Sequence, residues 1–198
     1  MIDKYDWFIR IDDDSYLHMA NLEPFLRKLD PNIPLMIGSA GFGRSNEDLV
    51  EPNMTYCMGG TGIIFSRRLL FDIGPHLASC ATGDIFTEHE DIELGRCIWR
   101  RLGISCTNAL DARNLFFNNF RHDAKSEIGY YSNIKVLDKR LARHAITLHP
   151  NKDPDFQRAT HAAILREEMQ KCNEKIYKLK VRRLNGESDD YLQSGCQL

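Results

Sequence analysis

Three consecutive aspartates, Asp12, Asp13 and Asp14, follow directly on the apolar run Trp7-Phe8-Ile9-Arg10-Ile11. A buried strand that delivers adjacent carboxylates into a loop places like charges together, which costs free energy unless a cation neutralises them. Oxygen-only ligands suit a hard divalent ion, Mg²⁺ or Mn²⁺, with phosphate oxygens completing its shell. An EF-hand is excluded: Asp12, Asp14 and Glu23 fall at loop positions 1, 3 and 12, but Tyr16 and Leu17 stand at 5 and 6, where an oxygen ligand and a glycine are required. A solvated acidic turn capping the next helix remains the other reading of the triplet. A second acidic focus, Glu88-His89-Glu90-Asp91, offers a carboxylate for general-base work or, equally, the acidic first turn of a helix. His149, between a strand-like run and Pro150, is a candidate metal ligand or a structural histidine. The glycines beside Met58 permit close backbone approach.

The elements that position these groups alternate between strand and helix. Tyr56-Cys57 and the glycine loop Met58–Gly62 lead into a strand Ile63-Ile64-Phe65. Ser66 then caps a helix that Gly74 and Pro75 close. Asn21 is expected to cap an earlier helix carrying Pro24 in its first turn, after which Leu35–Gly38 is a short strand. A further helix opens in the acidic cluster and runs to Gly103, followed by a strand Ile104–Cys106. The aromatic Leu115–Phe117 and the strand-like Ala145–Leu148 precede a helix from Asp155 to about Leu184. Leu165, Met169, Cys172, Ile176 and Leu179 form a heptad seam too short for a coiled coil. The pattern is that of an α/β fold with its chemistry at the carboxyl ends of strands.

Composition narrows the partners. The 198 residues are 42% hydrophobic and 27% charged, with 26 basic against 28 acidic side chains. Such a chain is globular, and its net charge of −2 advertises neither nucleic acid nor an anionic membrane. No apolar run approaches a membrane span, and Asp3, Lys4 and Asp6 stand where a signal peptide would carry a basic region and an apolar core. Six cysteines without a C-x-x-C pair, together with the sequon Asn53-Met54-Thr55, favour an oxidising lumenal compartment with glycosylation at Asn53.

Four blocks, Trp7–Tyr16, Tyr56–Gly62, His89–Cys97 and Ala145–Lys152, resemble in order and spacing the amino-terminal catalytic domain of chondroitin sulfate synthases, in glycosyltransferase family 31. The resemblance covers about residues 5 to 165. It implies a GT-A-like α/β fold, a Rossmann-like mixed sheet with flanking helices, and an inverting transfer of glucuronate from UDP-glucuronate, β1,3-linked, to N-acetylgalactosamine. It also implies Mn²⁺ (or Mg²⁺) on Asp14, with Asp12 and His149 assisting. Asp12, Asp13 and Arg10 would meet the donor, and Asp91 would be the base. Gly59, Gly60 and Glu90 would form a donor or acceptor loop, and Arg67 and Arg68 are further candidates for the donor carboxylate.

The partners so implied are a UDP-sugar, a chondroitin oligosaccharide and a second synthase subunit. The implied setting is the Golgi lumen, with membrane attachment only through a type II anchor not in this sequence. Because family members place nucleotide-binding strands upstream of the aspartates, the sequence is expected to be a partial domain. It would leave a strand edge bare near Trp7, Phe8 and Ile9, bind UDP-glucuronate weakly and lack measurable transfer alone. The expected organisation is a catalytic part over 1–154, a helical extension over 155–184 and a polar tail over 185–198. Disulfides are expected to join Cys57 to Cys80 and Cys97 to Cys106, leaving Cys172 and Cys196 free. A catalytically silent partner subunit and a family-31 transferase of another sugar are the alternatives.

Overall fold

A computed structural model describes residues 2–42, 50–83, 85–107, 115–118 and 143–185. The aromatic and β-branched run forms strand β1, Trp7–Arg10. It pairs antiparallel with β6, Ile63–Ser66, placing Arg10 opposite Ile63 and Trp7 opposite Ser66. On its other side β6 pairs antiparallel with β3, Met36–Gly38, so the order is β1-β6-β3 with β1 at an edge among the described residues. The central strand is buried along its whole length, as its apolar residues demand. A second sheet has the order β2-β8-β7, from Tyr16–Leu17, Thr147–His149 and Phe116–Asn118. Here β2 runs antiparallel and β7 parallel to β8, and the register sets Asn118 beside His149. A two-stranded pair, β4 (Ala40–Gly41) and β5 (Tyr56–Cys57), completes the strands. The fold is therefore mixed α/β, built from small sheets with helices packed around them.

Ser66 caps α2, Arg67–Ile73, its hydroxyl accepting from the Leu69 N–H, as its sequence context predicts. The chain does not leave the helical path at Gly74 and Pro75, however. A 3₁₀ turn over Gly74–His76 carries it into α3, Leu77–Thr82, because a proline in the first turn of a new helix loses no needed hydrogen bond. Helix α4 spans Glu90–Leu102, with Glu90, Asp91 and Glu93 in its first turn and Arg100 and Arg101 in its last, complementing its dipole. The expected cap at Asn21 is also displaced: α1 is Met19–Leu26 and His18 precedes it. Asn21 instead donates to the carbonyls of Arg143 (2.9 Å) and Ala145 (2.8 Å), tying the helix to the segment before β8. Residues 104–106 form no strand; the stretch is tied to Thr55 by hydrogen bonds and followed by an isolated parallel bridge between Ile37 and Thr107.

The disulfides are the exchanged pair. Cys57 bonds Cys106 with Cα atoms 5.1 Å apart, and Cys80 bonds Cys97 at 5.8 Å. The expected pairing closed short loops, whereas the fold aligns cysteines across elements. The Cys106 N–H donates to the Thr55 carbonyl beside β5, and α3 lies against α4. Cys172 is disulfide-bonded as well, not free. Asn53, in the sequon, is exposed on a turn, and the Thr55 hydroxyl donates to the Cys106 carbonyl. The long helix α5, Pro154–Leu184, is capped by Asp153, and only Phe156, Thr160 and Ile164 of it are buried. Among the described residues no helix is long and apolar enough to cross a membrane. Residues 186–198, the rest of the expected tail with Cys196, lie outside the described residues.

Candidate active site

The site forms where the ends of β1 and β8, the loop Met58–Gly62 and the start of α4 converge. That loop is fastened from four directions. The Met58 N–H donates to the Ser39 carbonyl (2.8 Å) and the Gly59 N–H to Asp91 Oδ2 (2.8 Å). The Ser15 hydroxyl donates to the Gly60 carbonyl and the Thr147 hydroxyl to that of Thr61. Its glycines are dictated by crowding: a Cβ on Gly60 would stand 2.6 Å from His149 Nε2, and one on Gly59 would overlap the Arg10 guanidinium. The loop is thus wedged between the two groups that the sequence singled out on either side.

One wall of the site is an ion chain. Arg10 reaches Asp12 (2.8 Å) with one guanidinium nitrogen and Glu90 (2.7 Å) with another. Asp91 sits in the first turn of α4, accepting from its own helix through Ile92 N–H (3.0 Å) and from the loop through Gly59. Asp91 is only partly buried, and each of its oxygens keeps a lone pair. Arg67 and Arg68 are elsewhere. They follow β6 at the Trp7 end of the sheet, where Arg67 pairs with Asp6 (2.8 Å) and Arg68 with Asp72 (2.9 Å), away from the aspartate turn.

The opposite wall is built on Asp14 and His149. Asp14 Oδ1 is buried without a hydrogen-bond donor, 3.5 Å from His149 Nε2, while Lys152 lies 3.8 Å from Asp14 Oδ2. The other ring nitrogen, Nδ1, lies 3.0 Å from Asn118 Oδ1. An amide oxygen only accepts, so Nδ1 carries the proton and Nε2 turns a lone pair toward the carboxylate. Burial outweighs the nearby Asp14 and Asp12 charges and holds the His149 pKa below its ordinary value, so the ring is neutral at pH 7. Two electron-pair donors facing each other is an arrangement that a cation would satisfy. Their separation suits neighbouring ligands of one octahedral ion, which stand about 3 Å apart.

Of the predicted ligands, then, Asp14 and His149 are brought together, whereas Asp12 turns to Arg10 and Asp13 points to solvent. Among the described residues no cluster of three or more histidine, cysteine or acidic side chains is disposed around one point. Sequence reasoning missed three residues. Asn118 fixes the His149 ring. Gln157, in the first turn of α5, donates to the carbonyls of Asp13 and Asn151 (both 2.8 Å), and the Asn151 N–H donates to the Asp14 carbonyl (2.5 Å). Only Asn118 left a signal, as the polar end of an aromatic strand.

A family model described as Fringe-like matches residues 1–122, and one described as chondroitin N-acetylgalactosaminyltransferase matches residues 76–192. The chain belongs to these glycosyltransferase families. It is 38% identical over 197 residues to chondroitin sulfate synthase 3 of Mus musculus, a match covering 98% of this chain and 21% of that protein. Chondroitin sulfate synthase 2 of Mus musculus is 30% identical over 180 residues, covering 89% of the chain and 21% of the relative. Chondroitin sulfate glucuronyltransferase of Homo sapiens is 36% identical over 106 residues, 52% of this chain and 13% of the relative. The chain spans about a fifth of the length of the first two relatives. The two family matches together include the aspartate turn, the glycine loop, α4 and β8.

Proposed function

We propose that this domain belongs to an inverting, metal-dependent glycosyltransferase of chondroitin synthesis that transfers glucuronate from UDP-glucuronate to a chondroitin acceptor in β1,3 linkage. The observation that carries it is the unpaired, buried Asp14 Oδ1 facing the His149 Nε2 lone pair. Asp14 and His149 would hold the Mn²⁺ or Mg²⁺ ion, which when bound supplies charge neutralisation for a departing diphosphate. Asn118 keeps the proton on Nδ1, so the lone pair of Nε2 stays available. Asp91 accepts the proton of the acceptor hydroxyl while that oxygen bonds to the anomeric carbon and the bond to UDP breaks, which inverts the centre. Arg10, already shared between Asp12 and Glu90, orients the triplet beside the loop, and a donor carboxylate would meet it in competition with Glu90. The exposed Asn53 and the disulfides support a Golgi-lumenal setting for the whole protein.

A second reading differs in the donor, N-acetylgalactosamine, and the description of the family matching residues 76–192 favours it. Offering UDP-glucuronate and UDP-N-acetylgalactosamine with Mn²⁺ to the whole protein, each with a chondroitin oligosaccharide ending in the complementary sugar, separates the two by product mass. Manganese titration of the chain, followed by electron paramagnetic resonance, tests the site itself. Transfer from neither donor, with no Mn²⁺ bound at Asp14 and His149, would sink the proposal and leave the silent-subunit reading.

A further inference from the structure

Away from the aspartates, α3 and α4 enclose a cavity of about 320 Å³ lined by Ser79, Cys80, Gly83, Glu93, Arg96, Cys97, Arg100 and Arg101. Glu93, Arg96, Cys97, Arg100 and Arg101 recur at helical spacing, so they share one face of α4. The Cys80–Cys97 disulfide pins α3 to that face. Two of the three arginines are committed. Arg96, almost wholly buried, pairs with Glu93 (3.2 Å), Arg100 pairs with Glu51 (2.5 Å), and both lie over the Phe86 ring at 4.9 and 5.2 Å. Arg101 has only a neutral partner, the Ser79 hydroxyl at 3.3 Å, and among the described residues it pairs with no carboxylate. An exposed guanidinium fork beside a hydroxyl, at the rim of a cavity that already holds two more guanidinium groups, is a receptor for a planar or tetrahedral oxyanion.

We infer that this cavity binds an acidic group of the glycan acceptor, a uronate carboxylate or a sulfate ester, at a distance from the reacting end. The inference rests on the glycan-transferring reading above. Arg101 stands ten positions after Asp91, about 15 Å along the axis of α4 and about 80° round it, so a glycan whose terminal sugar meets Asp91 reaches the cavity by turning round the helix over several units. A charge-repeating polymer supplies an acid group at that reach, and a neutral glycan does not. The site would favour long acidic acceptors over short ones without touching the chemistry.

The test is direct binding of three labelled oligosaccharides of equal length to the chain: unsulfated chondroitin, chondroitin 4-sulfate and neutral dextran. At least one acidic glycan should bind, more weakly as salt rises, and dextran should not. Arg101→Glu should weaken acidic-glycan binding by about tenfold or more, the scale of one charge-assisted contact, and Arg101→Lys by less. Ser79→Asp, from the facing helix, should act in the same direction, so the result does not hang on one variant's folding. Loss confined to the sulfated glycan identifies a sulfate ester as the ligand; equal loss for both identifies the carboxylate. Unchanged affinity in Arg101→Glu and Ser79→Asp, dextran binding equal to chondroitin, or no acidic-glycan binding at all would overturn the inference. Arg101-dependent binding in a protein that fails the manganese and donor tests would instead retire the catalytic reading and keep the cavity.

Discussion

The two walls of the site are made of the same residue types and behave oppositely. Around Gly59, the charges of Arg10, Asp12 and Glu90 answer one another and Asp91 is fed by two backbone N–H groups, so that wall is balanced in charge, although Arg10 Nη1 meets Asp12 as an ion pair without hydrogen-bond geometry. Around Gly60, a buried carboxylate oxygen without a hydrogen-bond donor and an imidazole lone pair face each other. The difference separates positioning from binding: a closed ion chain fixes geometry, while an open pair of donors stores an electrostatic demand that a ligand can meet.

The comparison breaks most sharply at Asp14. Asp14→Asn should abolish Mn²⁺-dependent transfer by the whole protein, a fall of roughly 10³-fold from the several kcal/mol that a metal supplies, and weaken UDP binding in Mn²⁺. The metal-free chain should melt no lower than the parent, since the substitution removes an unpaired buried charge and supplies an N–H that can reach His149. A large loss of melting temperature would instead mean that Asp14 is structural. On the closed wall, Asp91→Asn should cost about 10²-fold in turnover, the general-base scale, with donor affinity nearly unchanged. Loss of donor binding with turnover of bound donor intact would assign Asp91 to loop support through Gly59.

A smaller effect is expected at Asn118. Removing its side chain in Asn118→Ala frees the His149 ring to change tautomer, and Mn²⁺ affinity should drop by roughly tenfold to a hundredfold while the fold persists. Affinity equal to the parent's would show that the ring is fixed by Gly60 packing alone. The smallest effect lies outside both walls, at His18, which is buried beside α5 with Nε2 3.6 Å from Glu168. Burial depresses its pKa, with Glu168 acting in the other direction. The unfolded chain therefore takes up this proton near pH 6.5 and the folded chain only at lower pH, so stability is full above that range and declines as pH falls through it. Urea midpoints at pH 7.5 and 5.5 should fall in that order, and His18→Gln should flatten the difference.

Much of the scaffold was legible in residue order because local signals and tertiary demands coincide there. The strand before the aspartates, the Ser66 cap, the acidic opening of α4 and the span of α5 all follow from side-chain chemistry within a few positions. The meeting of Asp14 with His149 came from the family resemblance, and no local rule predicts a contact across so many residues. What stayed hidden was decided between elements. Asn21 had a conventional use as a cap and was taken by two carbonyls of a distant segment. Cys57 had a nearer cysteine in sequence and was joined to the one that lies beside β5. Arg10 was expected to be open to a donor and was closed by Glu90, a neighbour only after α4 docks.

The aspartate turn is also held by a part of the chain made long after it. Its backbone carbonyls are taken by Asn151 and by Gln157 in the first turn of α5, and its Ser15 by Gly60. During synthesis the triplet emerges well before the residues that hold it, and its last hydrogen bonds wait until more than a hundred further residues have left the ribosome. Closing so long a loop carries an entropic cost that only the packed sheet repays, so this turn belongs to the slow end of folding. A nascent or partly folded molecule would then carry the three aspartates before Asn151 and Gln157 are in place to hold their turn.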